Sequence, residues 1–367
     1  MLVARQDEEI LAASHGKLMW RKFRKHKVAM VGIVVLFVLY GLAIFCEFFS
    51  PYDIYERHMD FTYMAPQRIH FVDPSGRFHL RPFVYGMKMT LNTDTFERSY
   101  AEDHGQRYEV RFFTGTYGYR FWGLIRSRVH LFGVRQPGTI FLLGTDELGR
   151  DLFSRTLYAA RISLSVGLVG VFFSFILGSI LGGISGFYGK SVDLFIQRLI
   201  EVLISIPTIP FWMALSAALP PHWPPVKVYF GVTIVLSVLG WCGLARIIRG
   251  KILELKEEDF VLAARVAGAG GGTIIARHLL PSFFSFLIVH LTLAVPSTIL
   301  GETALSFLGL GIRPPAVSWG ALLSSAQNVR SILLYPWLLI PGLFVIATVL
   351  AFNAVGDGLR DAADPYR

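Results

Sequence analysis

Six stretches of largely apolar residues, each about 20 long, dominate this chain, and that is the length an α-helix needs to cross the ~30 Å hydrocarbon core of a bilayer. They run from Val28 to Phe49, Ile162 to Phe187, Leu194 to Leu219, Val228 to Ile248, Ser282 to Leu300 and Pro336 to Val355. A soluble domain scatters its apolar residues around polar faces; here 53% of residues are hydrophobic and only 17% are charged, and the apolar ones are gathered into runs. The expectation is an all-α polytopic membrane protein with six transmembrane helices. The first run has no small-residue cleavage pattern after it, and Glu47, Pro51 and Asp53 mark its end. That reads as a retained span, not a signal peptide.

The formal charge of +9 raises the question of nucleic acid, and its placement answers it. Lys17, Arg21, Lys22, Arg24, Lys25 and Lys27 precede the first run, and Arg246, Arg249 and Lys251 close the fourth. Basic residues at span ends are the mark of cytoplasmic flanks, so nucleic acid is not an expected partner. With the basic segment 1–27 inside, both termini and the 250–281 loop are cytoplasmic, and the core spans and their loops occupy 158–355 with a short tail at 356–367. Cys46 and Cys242 fall in or beside apolar runs and form neither a metal-ligand spacing nor a disulfide framework.

The same topology places 51–157 outside the membrane. This insertion alternates aromatic and polar residues, as in "RYEVRFFTGTYGYRFW", a period that predicts short strands in a small α+β or β-rich domain. It carries half of the chain's ten histidines, His58, His70, His79, His104 and His130. Their spacing does not pair them as metal ligands, so surface and core roles are expected.

Within the spans, Pro207, Pro210 and Pro296 are breaks that a membrane bundle tolerates where neighbours re-satisfy freed backbone groups. Arg198 and Glu201, at i,i+3, are placed to form an ion pair near a span end. His290 lies within the fifth span, either lining a path or packed in the core. A phosphate-cradling loop is missing. In "GGISGFYGKS" the position that must be the first glycine of a P-loop is Ile184, and Gly183 is one residue too far away; the stretch reads as a turn after the second span. Nucleophile-elbow, zinc-protease and C-x-x-C signatures are also missing, so the chain is not expected to be an enzyme or to hold a cofactor of its own.

The segment "EEDFVLAARVAGAGGGTIIARHLLPS", between the fourth and fifth runs, is unlike the rest. Glu257, Glu258 and Asp259 open it, favourably placed at the positive end of a helix dipole. Phe260, Ala263, Ala264 and Ala267 then recur at i, i+3, i+4 and i+7, one narrow small-residue face led by an aromatic. Gly268 and the glycines after it end the helix, and Pro281 enters the next span where a missing N–H is least harmful. A helix lying on headgroups would carry Lys or Arg and bulky apolar residues instead. A short helix that docks into a cytoplasmic partner fits better.

This segment resembles the cytoplasmic coupling loop of permease subunits of ATP-binding-cassette importers, matching at Ala263, Ala264, Gly268, Leu280 and Pro281. It departs at Leu262, where that pattern has Glu, and at His278, where it has Ile; Asp259 is the substitute acid one turn earlier. "GTDELGRDLFSRTLYAARISL", "GETALSFLGLGIRPPAVSWG" and "GDGLRDAADPYR" resemble the second permease subunit of the dipeptide and oligopeptide branch. The resemblance implies a type I importer permease fold in a bacterial inner membrane. It also implies a second permease, two ATPase subunits that hold ATP and magnesium, and an extracytoplasmic binding protein that delivers substrate. ATPase coupling then falls to Glu258, Asp259, Phe260, Ala263, Ala264, Gly268 and Pro281, with bulk at Ala264 or Gly268 expected to uncouple a folded permease. Glu302, Ser306, Arg313, Trp319 and His290 become candidates for the path or its gate, the broken segment after the fifth span folding back over the outer mouth. Peptides lead as substrates, with nickel, oligosaccharides or opine-like solutes as alternatives. A stand-alone secondary transporter would want inverted repeats or midplane charges, and a membrane-anchored enzyme would want a catalytic constellation in 51–157.

Overall fold

The structure, a computed structural model, describes residues 15–91, 93, 98–220 and 222–363. The first part of the basic segment 1–27 and the last four residues of the 356–367 tail lie outside the described residues. The main helices, in chain order, are α1 (His15–Lys25), α2 (Lys27–Ile44), α3 (Leu152–Tyr188), α4 (Lys190–Ser205), α5 (Thr208–Ala217), α6 (Pro225–Leu255), α7 (Asp259–Val266), α8 (Phe284–Phe307) and α9 (Ile340–Ala363). Five strands, β1 (His70–Val72), β2 (Phe78–Leu91), β3 (Arg98–Glu109), β4 (Arg111–Phe121) and β5 (Ile125–Gly133), lie between α2 and α3. Among the described residues five helical segments are long and apolar enough to cross a membrane: α2, α3, α6, α8 and Pro336–Ala363.

The third expected span is where the structure departs most. Leu194 to Leu219 is not one helix: α4 and α5 meet at 89°, making either a broken span or a re-entrant loop. Pro207 is the cause, because it fixes its own φ and holds Ile206 in an extended conformation, which stops α4 and restarts the chain as α5. The second span is also longer than expected. α3 has 37 residues, beginning at Leu152 because the Asp151 side chain accepts the backbone N–H of Ser154 at 2.8 Å and caps the first turn. "GGISGFYGKS" is not a turn as a whole; Gly182 to Tyr188 remain helical, and the turn is confined to Gly189, at φ +65°.

The chain divides into two compact units. One comprises the described residues of Met1–Phe37 together with Ser165–Leu305 and Ile346–Arg367. In it Phe23 of α1 and Ala29 of α2 pack with Val355 and Ala362 of α9. Gly178, Gly182 and Gly186 form a stripe along α3 that faces α6. A Cβ on Gly182 would lie 2.5 Å from the carbonyl oxygen of Ala245, so the two backbones approach as only glycine permits. That contact sustains a helix through a glycine run which, read alone, favours a turn. Arg198 and Glu201 pair at 2.7 Å along α4.

The other unit comprises Val38–Leu164 and Ser306–Val345. β1, β2 and β3 form an antiparallel sheet in that order, and β4 and β5 form a separate hairpin. The strands are not all short: β2 has 14 residues and β3 has 12. Val84, Val110, Phe132 and Ile140 make the apolar core beneath them. His70 meets Glu102 at 3.0 Å, His79 meets Asp73 at 3.0 Å, and the buried His130 sits between the carbonyls of Glu47 and Tyr117. The segment after α8 belongs to this unit, broken into the short helices Trp319–Leu323 and Val329–Leu334. Tyr335 from it stacks on Tyr63 at 4.1 Å, and Trp337 Nε1 donates to the Thr145 carbonyl at 3.0 Å.

Candidate functional site

The loop between α6 and α8 is built as a helix held on a plug. α7 begins at Asp259, with Glu258 as its N-cap and Glu257 outside the helix, so the acids lead into the first turn instead of filling it. Its end is a Schellman motif. The Gly268 N–H donates to the Arg265 carbonyl at 2.9 Å, the Ala269 N–H donates to the Ala264 carbonyl at 3.0 Å, and Gly268 sits at φ +81°. No atom lies within 4 Å of where a Gly268 side chain would start, so the position is glycine for its backbone conformation and not for space.

The register of α7 is set by Val261. It is fully buried, and with Ala264 one turn on it packs into a cluster of Ile252, Ile274, Ile275, Leu279, Phe283 and Leu287. At 100° per residue the opposite side then carries Asp259, Leu262, Ala263 and Val266, with Phe260 and Ala267 flanking it. Val266 is 90% exposed, Phe260 41% and Leu262 40%. The expected face of Phe260, Ala263, Ala264 and Ala267 is thus corrected: Ala264 points home, and Leu262 and Val266 point out. What hides this from the sequence is that Val261 packs into a cluster whose members extend to Leu287, 26 positions later in the chain. The signal that was available is Leu262 itself, an apolar residue in the position of an acid.

The plug beneath α7 is a π-helical segment, Ile274–Leu279, where the Leu280 N–H reaches back to the Ile275 carbonyl. Pro281 follows in the helical turn Leu280–Ser282, where it has no N–H to leave unpaired. The Arg265 guanidinium lies over the Phe187 ring at 5.2 Å, tying α7 to the end of α3. Arg249 of α6 grips Asp193 of α4 with two bonds of 2.5 and 2.6 Å, and Ser185 donates to the same carboxylate at 2.5 Å. A fork of this kind fixes orientation as well as distance. Sequence reading missed this clamp, because its halves lie 56 residues apart. The exposed apolar side of α7 therefore stands on a mount fastened to α3, α4, α6 and the approach to α8.

Of the five path or gate candidates, two lie in the first unit and three in the second. His290 lies mid-helix in α8, its ring stacked on Phe286 at 6.1 Å, and Glu302, nearer the end of α8, is fully buried. In the second unit, Ser306 Oγ accepts the Ile312 N–H at 2.9 Å, closing the turn after α8, and Arg313 Nε donates to the Gly309 carbonyl at 2.8 Å. Trp319 is fully buried, donating its backbone N–H to Ser163 Oγ at 3.1 Å and its Nε1 to the Thr156 carbonyl at 3.2 Å. These contacts make Ser306 and Trp319 organisers of the segment after α8, while Arg313 remains exposed on it.

Residues 162–366 match the family of binding-protein-dependent transport system inner membrane components. Residues 14–66 match the N-terminal transmembrane domain of oligopeptide transport permease C. A dipeptide transport system permease protein of Bacillus subtilis is 33% identical over 349 residues, covering 94% of this chain and 84% of the relative. An oligopeptide transport system permease protein of the same organism is 31% identical over 345 residues, with 94% and 87% covered. One from Haemophilus influenzae is 40% identical over 255 residues, with 69% and 78% covered. Among solved structures, the inward-facing MetNI methionine ABC transporter gives a TM-score of 0.42 at 19% identity, over 55% of this chain and 93% of that one, a likeness too loose to argue from.

Proposed function

Because this chain belongs to the family of binding-protein-dependent transport system inner membrane components, as a permease of its dipeptide and oligopeptide branch, we propose that it forms half of a peptide path in an ATP-driven importer. Its type I permease fold and multi-pass topology place it in a membrane, and the reading assigns that membrane as the bacterial inner one with both termini cytoplasmic. A second, homologous permease supplies the other half of the path. Two ATPase subunits carry ATP and magnesium, and an extracytoplasmic binding protein delivers the peptide. The chain itself performs no catalysis.

The observation that carries the proposal is the outward side of α7: Leu262 and Val266 expose apolar surface beside Ala263 and Asp259, on a helix whose other side is locked by Val261. Exposed apolar groups beside small ones on a firmly mounted helix suit a partner's cleft better than water. Closure of the two ATPases on ATP would push α7 as a rigid body. Its Arg265–Phe187 contact and the Asp193–Arg249 clamp then pass the movement to α3, α4 and α6. Such a lever works only if the two access states are discrete and both ATP and substrate bias the same equilibrium.

The test is purification of the tagged chain from its native membrane in mild detergent, with mass spectrometry of what accompanies it. Two ATPases, a second permease and peptide bound to a co-purifying binding protein are the expected result. A chain that is monodisperse and alone would move a stand-alone transporter to first place.

A further inference from the structure

The β4–β5 hairpin is fastened to the point where the first span ends. α2 has 18 residues, about 27 Å of helix, close to the thickness of the hydrocarbon core, and it ends at Ile44; one further helical turn, Cys46–Phe49, follows and carries the buried Glu47. Trp122, at the hairpin turn, donates its Nε1 to the Ile44 carbonyl at 3.2 Å, and Phe121 stacks on Phe45 at 5.5 Å. Arg161 locks this junction. Its guanidinium donates to the Ala43 and Ile44 carbonyls, forks onto Glu47 at 2.6 and 2.7 Å, and lies over the Trp122 ring at 4.4 Å. The hairpin turn is thereby held at the depth where hydrocarbon gives way to headgroups.

What the turn presents at that depth is not suited to water. Trp122 is 52% exposed, Leu124 83% and Ile125 66%. Tryptophan favours the headgroup boundary through its amphipathic ring, here with its N–H satisfied by the Ile44 carbonyl. Just behind the turn, Arg120 and Arg126 stand directly opposite each other in the strand register, and Arg128, two residues on, shares their face. Like charges directly opposite destabilise a hairpin unless an anion lies between them. Among the described residues no acidic side chain forms an ion pair with any of the three. A shallow cleft lined by Gly118, Tyr119, Arg120, Arg126, Ser127 and Arg128 opens on this face, and guanidinium groups suit phosphate oxygens by their forked geometry.

We infer that the hairpin is a lipid anchor: Trp122, Leu124 and Ile125 enter the bilayer surface beside the end of α2, and Arg120, Arg126 and Arg128 take the phosphates of anionic lipids. A segment otherwise devoted to extramembrane strands thus fixes the insertion against the membrane plane. The inference rests on the chain spanning a membrane and not on its cargo or its ATPases.

The test uses the full-length chain carrying Leu124→Cys, labelled with an environment-sensitive fluorophore; the native Cys46 and Cys242 are both buried. It is reconstituted into nanodiscs of phosphatidylcholine alone or of equimolar phosphatidylcholine and phosphatidylglycerol. Quenching by lipids with a shallow spin label, protection from aqueous iodide, and stronger lipid quenching with phosphatidylglycerol are expected. R120Q/R126Q/R128Q removes the phosphatidylglycerol effect, each arginine accounting for about fivefold in lipid affinity. Iodide quenching without lipid quenching would overturn the inference and point to a face for a soluble protein. Loss of the phosphatidylglycerol effect on adding inorganic phosphate would overturn it too, because the arginines would then hold a free anion.

Discussion

Ala263 and Ala264 are neighbours in sequence with opposite tasks in the structure, and leucine at each separates fold from docking. Ala264→Leu adds three carbon atoms where the side chain packs against the cluster that contains Val261, Ile274, Ile275 and Leu279, whose members are all at most 9% exposed. Overpacking of this kind costs about 1–3 kcal/mol, because neighbours must leave their rotamers or the helix must lift. Ala263 faces away from that cluster, and a leucine there has no internal neighbour to displace, so its effect on stability stays within about 0.5 kcal/mol. At a close-fitting interface the same three carbons meet a partner's surface, and a penalty of about 1.4 kcal/mol already weakens binding tenfold. The assay is paired: the unfolding midpoint of the purified permease, and capture of its ATPase by the tagged chain. Ala264→Leu lowers the midpoint; Ala263→Leu leaves it in place and releases ATPase at least tenfold more readily. Equal midpoints for the two variants, or undiminished capture by Ala263→Leu, would refute the register assigned to α7.

Gly268→Ala forces a side chain into the left-handed region at a cost of about 1–2 kcal/mol, so amide exchange at Gly268 and Ala269 accelerates while the spans stay protected. Gly268→Trp would therefore disturb the end of α7 before it tested coupling. Gly182→Val drives its Cβ to 2.5 Å from the Ala245 carbonyl oxygen, which α6 relieves only by moving away, and the variant is expected to lose detergent stability. Burial pushes the Asp151 carboxyl up to about 6 despite the hydrogen bonds from Ser154 and Phe153 that favour its charge. Between its ordinary value of 3.8 and about 6 the folded chain holds a proton that the unfolded chain has released. Stability therefore falls as pH rises through that window and is flat above it, a difference of about 3 kcal/mol. Asp151→Asn keeps an acceptor for Ser154 and flattens the dependence, read as unfolding midpoint against pH.

The runs that a bilayer demands were legible because length and apolarity are local properties. α2, α6 and α8 begin within three residues of the apolar runs, but end five to seven residues away from them, α2 stopping early at Ile44 and α6 and α8 running on to Leu255 and Phe307. The third span was not, because the sequence signals a break at Pro207 but carries no measure of its 89° angle. The stretch from Gly182 looked like a turn because the compensation for its glycines, the backbone of α6 against Gly182 and Gly186, lies about 60 residues away in sequence. The alternation of aromatic and polar residues pointed to strands, while their lengths and the separation into a sheet and a hairpin depended on pairing that no local pattern carries. On α7 the small residues, the acids and the terminating glycine were all visible. Which of two adjacent alanines faces outward was decided by Val261 and its distant partners.

The outward side of α7 is proposed to seat in an ATPase. Val266→Cys, in native membranes with the two native cysteines buried, offers a thiol at a position of that side that is 90% exposed. A short thiol-reactive cross-linker is predicted to join position 266 to an ATPase subunit, and to yield no adduct from Val261→Cys, whose side chain is fully buried. An ATPase that co-purifies intact yet never cross-links at 266, or that cross-links equally at 261, would show that this side of α7 is not its seat.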